Sequence, residues 1–333
     1  MRISFIIFVS LLFLISCQQA PPHGSSDSGE ESSRRITDTL RSSSFLQDRP
    51  IEVFLPPSYY SATDRQFPVL YMMDGQNLFA SELAYGGPGW GLDDVLDSLS
   101  GEESIREVIV VGIHHAGQDR FPEYMPQKPV LAFPKGIQEA LGNRFSRSVY
   151  SDSFLRVIVH ELKPVIDGKY RTLPGVDHTF VGGSSMGGLI SMYALCEYPE
   201  IFGGAMCLST HWPVALDAST PEASEAILDY LTAHVPLGKR WYFDHGTKEL
   251  DALYATWQLK ADSILRSAGY QSGELFQSLV FDGHGHNERF WNQRLHLPLV
   301  WMLGNENAKN VPNNTFQADS LTKPMPDTER MRE

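Results

Sequence analysis

The chain has 333 residues, 42% of them hydrophobic and 20% charged, enough apolar material for a sizeable core and too little charge for global disorder. Its formal net charge is -13, from 27 Lys+Arg against 40 Asp+Glu, and no Lys/Arg cluster interrupts the acidity. Nucleic acid is therefore excluded as an expected partner, and so is an electrostatic grip on a polyanionic substrate.

The first residues read as a targeting segment. Arg2 precedes a nearly unbroken apolar run from Ile3 to Ile15. The run is shorter than the roughly 18 residues a spanning helix needs, so an export signal is expected rather than a stable transmembrane helix. Leu14-Ile15-Ser16-Cys17 resembles the bacterial lipobox, which implies that Cys17 is acylated and becomes the first residue of a membrane-tethered protein. Residues 18–34 are rich in Gln, Pro, Ser, Gly and Glu, the composition of a flexible tether. From 35 to 304 there is no repeat and no linker, so one domain is expected.

Within it, apolar runs and helical periods alternate. Strands are expected over 51–55, 68–73, 108–113, 179–181, 204–209, 241–243 and 276–281, and helices over 92–99, 152–167, 188–198, 221–233, 253–268 and 291–303. The run 108–113 is β-branched and wholly apolar, which marks a central strand covered on both faces. This alternation implies an α/β fold with a mainly parallel central sheet and helices on both faces. Residues 118–150 carry Gly, Pro and polar residues with little period, and read as an excursion over the face that holds the chemistry. Residues 305–333 are polar and aperiodic and read as a disordered tail. Cys196 and Cys207 are expected as free buried thiols.

One motif carries chemistry. Gly183-Ser184-Ser185-Met186-Gly187 fits G-x-S-x-G, with a strand before it and a helix after it. A serine on such a turn is held in a strained, exposed conformation, and Gly182, Gly183, Gly187 and Gly188 supply the small neighbours this demands. Ser185 is the expected nucleophile, and the Met186 backbone N–H, at the helix N-terminus, is an expected oxyanion donor. The base should follow the last strand, in Asp282-Gly283-His284-Gly285-His286-Asn287-Glu288, where His284 and His286 both qualify. The acid should follow the preceding strand, where Asp244, Glu249 and Asp251 are candidates. His115, His211 and Trp212 lie just beyond strand ends on the same side; loop packing is the first expectation for any one of them, and contact with substrate, by ring stacking for Trp212, is the functional alternative. His114-His115 lacks the spacing of a helical zinc pair and no His-Glu-x-x-His occurs, so neither a metal nor any other cofactor is expected.

Pro68 to Phe79, the Ser185 elbow, Gly246-Thr247 and His286-Asn287-Glu288 with Trp291 and Arg294-Leu295 together resemble the Putative esterase family of α/β-hydrolases. That group includes enterochelin esterases, feruloyl and acetylxylan esterases, S-formylglutathione hydrolase and the mycolyltransferases. The resemblance spans about 50 to 304. It implies His286 as base, and a second oxyanion donor at the backbone of Gly75 or Gln76. Family members with an acid three residues after the loop Gly match Glu249, and those with a Leu-Asp pair match Leu250-Asp251. The acid stays open between the two, with Asp251 favoured. The implied activity is hydrolysis of an extracytoplasmic carboxylic ester, on an acylated carbohydrate or a siderophore. An acyltransferase of mycolyltransferase type and a non-catalytic binding lipoprotein are the alternatives.

Overall fold

Val69–Met73 (β3) and Ile109–Ile113 (β4) are buried at every position, which a strand can be only when both faces of its sheet are covered. Their side chains alternate accordingly. Val69, Tyr71 and Met73 enter one apolar cluster, and Leu70 and Met72 enter the other. In this computed structural model, residues 34–42, 46–79, 89–144, 148–214 and 220–305 are described. Cys17, the rest of the expected export signal, residues 18–33 of the tether and the tail from 306 onward lie outside the described residues.

Eight strands form one sheet in the order β1-β2-β4-β3-β5-β6-β7-β8. The remaining strands are Arg35–Leu40 (β1), Arg49–Phe54 (β2), Thr179–Ser184 (β5), Gly204–Leu208 (β6), Arg240–Gly246 (β7) and Phe276–Phe281 (β8). From β4 through β3 to β8 all neighbours pair in parallel, whereas β1 and β2 are antiparallel to their neighbours. β1 falls in a stretch where no strand is expected from sequence. Its faces are only half-covered, so it lacks the continuous apolar run that marks β3 and β4. Arg34, assigned above to the tether, belongs to the folded unit: its guanidinium holds both oxygens of Asp97.

The helices are Leu92–Gly101 (α1), Arg120–Tyr124 (α2), Gln127–Val130 (α3), Lys135–Arg144 (α4), Ser151–Val157 (α5), Lys163–Lys169 (α6), Met186–Glu197 (α7), Pro221–His234 (α8), Ala255–Ser267 (α9), Glu288–Arg294 (α10) and His296–Leu303 (α11). A π-helical turn at Ile158–Leu162 joins α5 to α6. It falls just before Pro164, whose ring would clash with the carbonyl one turn earlier in a regular helix. The expected helix over 291–303 is two helices meeting at Leu295. The excursion over 118–150 contains α2, α3 and α4. Their short lengths hide the helical period, and Glu123 in α2 is tied to the sheet by a two-pronged, buried ion pair with Arg49 at 2.6 and 2.7 Å. Cys196 and Cys207 are free and buried, and burial pushes both thiols up.

Candidate active site

The parallel strands deliver their C-terminal ends to one edge, and the polar residues that follow β3, β5, β6, β7 and β8 gather there. β5 ends at Ser184 and α7 begins at Met186, leaving Ser185 alone on the turn with φ 59° and ψ -124°. A non-glycine residue at such angles costs on the order of 1–3 kcal/mol and persists only when its surroundings fix it. Here the Ser185 N–H donates to the Leu208 carbonyl at 2.9 Å, and its own carbonyl accepts from Leu189 and His211 at 3.1 Å each. Met186 is the first residue of α7, so its N–H has no acceptor within the helix and sits at the positive end of the helix dipole. Across from it, Gly75 to Asn77 form a single 3-10 turn after β3. A Cβ at Gly75 would lie 2.5 Å from the Gly112 carbonyl carbon, so this loop reaches its position only because glycine lets it press on the β4 backbone.

The His-bearing loop is held from several sides. His286 Nδ1 lies 2.6 Å from Asp251 Oδ1. Asp251 is fully buried, which raises its pKa, but hydrogen bonds and the charge of His286, with the Ser209 hydroxyl and the Gly246 N–H, outweigh burial and hold it below the usual carboxylate value. An ionised Asp251 can only accept. The proton between them is therefore on Nδ1, which leaves Nε2 free to act as a base. The imidazole meets the Tyr254 and Trp291 rings edge-on, with centroids at 5.6 and 5.1 Å, which restricts its rotation. Asn287 caps α10 by accepting the Phe290 N–H.

The two carboxylates that the sequence leaves open take different positions. Asp251 faces the imidazole. Glu249 instead accepts the backbone N–H of His286 at 2.8 Å and the Asn287 amide, so it anchors the loop and does not orient the ring. Asp244 lies deeper, against Arg294 at 3.0 Å. The His284 ring packs against Phe281 and Phe290 and makes no contact with a carboxylate among the described residues, and its carbonyl accepts the N–H groups of Thr247 and Lys248.

The candidate substrate contacts fare differently. Trp212 is fully buried, stacked on Phe243 with its Nε1 donating to Gln258, so it is a core residue and offers no face to a ligand. The packing expectation holds for Trp212 and the stacking alternative does not: an indole with one polar atom is satisfied by a single buried acceptor, and Gln258 provides it. His211 is 3% exposed, its Nδ1 2.8 Å from the Tyr254 hydroxyl. Burial, with His286 and Arg120 adding to it, pushes His211 down to about 3, so it stays neutral. His115 is half-buried, its Nδ1 accepting from the Gly117 N–H and its own N–H donating to Gln76. Burial lowers its pKa as well.

Four further residues at this edge have no role assigned from sequence. The Tyr254 hydroxyl, buried and so pushed up as an acid, bridges His211 and the Ser185 side chain. Arg120, from the aperiodic excursion, clasps Asp74 at 2.7 Å through two nitrogens. Glu288 is raised by burial and accepts from Asn77 at 3.5 Å, linking the two loops that flank Ser185. Ser209, at φ 42°, closes β6. Glu288 and Arg294 do fall inside the segments quoted for the family resemblance. Tyr254 and Arg120 leave no sequence signal, because their partners come from other elements.

A parallel sheet covered on both faces, with a strained serine between strand and helix and an Asp–His pair after the next strands, defines an α/β-hydrolase fold. The Putative esterase family matches residues 42–301, and the chain belongs to it. It is a carboxylic ester hydrolase of the serine type. The chain is 24% identical over 257 residues to the uncharacterized protein YbbA of Bacillus subtilis (strain 168), covering 77% of this chain and 93% of YbbA. Among solved structures it is similar to a ferulic acid esterase, with TM-score 0.57 and 22% identity over 81% of this chain and 97% of the other. It is also similar to the enterobactin esterase from Shigella flexneri, solved in the presence of 2,3-di-hydroxy-N-benzoyl-glycine. There the TM-score is 0.60 and the identity 18%, over 80% of this chain and 59% of that one.

Proposed function

We propose that this protein is an exported, lipid-tethered serine esterase working through Ser185, His286 and Asp251. Ser185 Oγ attacks the ester carbonyl while His286 Nε2 takes its proton. The tetrahedral oxyanion is held by the Met186 N–H and by an N–H of Gly75 or Gln76. Collapse releases the alcohol, protonated by His286, and leaves an acyl group on Ser185. Water, activated by the same Nε2, then releases the acid and restores the serine. Asp251 keeps Nδ1 protonated throughout and stabilises the imidazolium. The single observation that carries the reading is the 2.6 Å contact of a buried, ionised Asp251 with His286 Nδ1, beside a serine held at φ 59°.

The substrate class is proposed by similarity: the neighbours include a ferulic acid esterase and an enterobactin esterase, so esters of acylated carbohydrates or of siderophores are the proposed substrates. Acylation of Cys17 provides the proposed tether. The test uses the purified domain on p-nitrophenyl acetate and on a panel of feruloylated, acetylated and siderophore esters. Turnover that disappears in Ser185→Ala supports the reading. A panel with no turnover on any ester contradicts it. In a bacterial host, metabolic palmitate labelling should be lost in Cys17→Ala, and persistence of the label would rule out Cys17 as the site.

A further inference from the structure

Behind Asp251 lies a buried polar group that the proposed mechanism does not use. Ser209 Oγ lies 2.7 Å from Asp251 Oδ2, 3.0 Å from Trp291 Nε1 and 2.7 Å from Arg294 Nη2. The last two atoms can only donate, since neither an indole N–H nor a guanidinium has a lone pair to offer. They occupy the acceptor sites of the hydroxyl. Its one proton is left with a single destination, Asp251 Oδ2. Most serine hydroxyls in proteins rotate among partners; this one is locked as a donor.

The surrounding charges make the lock matter. Asp244 and Asp251 are both fully buried and share one guanidinium, that of Arg294, whose Nη2 is 3.0 Å from Asp244 Oδ1 and 3.7 Å from Asp251 Oδ2. Arg294 is 1% exposed, and its guanidinium carbon lies 5.1 Å from the centre of the Phe281 ring. Arg294 therefore serves Asp244 directly and reaches Asp251 mainly through the Ser209 hydroxyl. On its other side Oδ2 receives the Gly246 N–H at 2.6 Å, while Oδ1 takes His286. Tyr242 Oη and the Ser209 N–H each donate to Asp244 at 3.2 Å, and the titratable groups Tyr254 and His284 also face Asp251. The φ of 42° at Ser209 is the kind of strain that survives where a side chain must be aimed.

We propose that Ser209 is a positioning residue that relays the Arg294 charge to Asp251 and fixes the carboxylate plane that orients His286. The proposal rests on Asp251 being the acid of the triad. Removing the donor leaves a carboxylate that binds a proton more tightly, so the coupled Asp251–His286 pair protonates at higher pH.

The decisive variant is Ser209→Gly, because glycine deletes the hydroxyl and also accepts φ 42° without strain. On p-nitrophenyl acetate its kcat should fall about tenfold to a hundredfold, the value of one hydrogen bond to a charged group, with KM changed less than about twofold. The acidic limb of its kcat/KM profile should move to higher pH, while its urea midpoint should fall, because the buried Trp291 N–H loses its acceptor. Ser209→Cys, a weaker donor in the same place, should recover part of both effects and serves if the glycine variant is unstable. Unchanged kcat and an unmoved acidic limb in either folded variant would overturn the proposal. Asp251→Asn run alongside separates the two levels. If it keeps wild-type turnover, Asp251 is not the acid and the relay has no purpose. If it is inactive while the Ser209 variants are normal, only the relay is wrong.

Discussion

At the scale of single residues, the site turns on which carboxylate faces His286. Spacing after the Gly246 loop leaves Glu249 and Asp251 equivalent, since both follow the same strand and either acid type can hold an imidazole. What separates them is a single 3-10 turn, Glu249–Leu253, which points Asp251 inward and sends Glu249 to the backbone of the His286 loop. No sequence pattern encodes that turn. Asp251→Asn should therefore lower kcat by about a thousandfold or more, because an amide favours the wrong imidazole tautomer. Glu249→Gln keeps an oxygen able to accept the His286 N–H and should stay within about fivefold of wild type. Steady-state kinetics on one chromogenic ester compares them, and the reverse ranking would transfer the acid to Glu249. The strained Ser185 turn was legible because its demands are local: a strand, small neighbours and a helix. Tyr254 and Ser209 were not, because each acts through a partner 42 or more residues away in another element.

At the scale of elements, the interior strands were read to within a few residues, because two covered faces impose a continuous apolar run. The half-covered β1 and the short helices of the excursion were missed for the opposite reason. The contact that joins the acid loop to the base loop is also invisible in sequence. A Cβ on Gly246 would lie 2.1 Å from the His284 carbonyl oxygen, the same oxygen that accepts the Thr247 and Lys248 N–H groups. Gly246→Ala should thus push the His loop off the end of β7. The expected result is a kcat lowered by about a hundredfold, since misplacing a catalytic group by about 1 Å has that cost, together with a reduced thermal midpoint. Wild-type activity in that variant would show that the loop is not held by this close approach.

At the scale of the whole molecule, stability should carry the signature of a buried neutral histidine. His211 takes up a proton near pH 3 in the folded chain and near 6.5 when exposed, so between those values the unfolded state binds one more proton than the native state. Stability must then fall as pH drops below about 6.5, by up to about 1.4 kcal/mol per pH unit from this residue. Urea unfolding of the wild type and of His211→Gln between pH 7 and pH 4 measures it. The variant should show a shallower loss, and identical slopes would exclude His211 as the source. The sheet order, the two apolar clusters and the strand-end site all serve one claim, that Ser185 is an activated nucleophile. The most direct measurement is the mass of the intact domain after exposure to a fluorophosphonate, with peptide mapping of the adduct. The account predicts one stoichiometric adduct on Ser185, lost in Ser185→Ala and slowed in His286→Ala. No adduct, or an adduct on another residue with Ser185 unmodified, would contradict it.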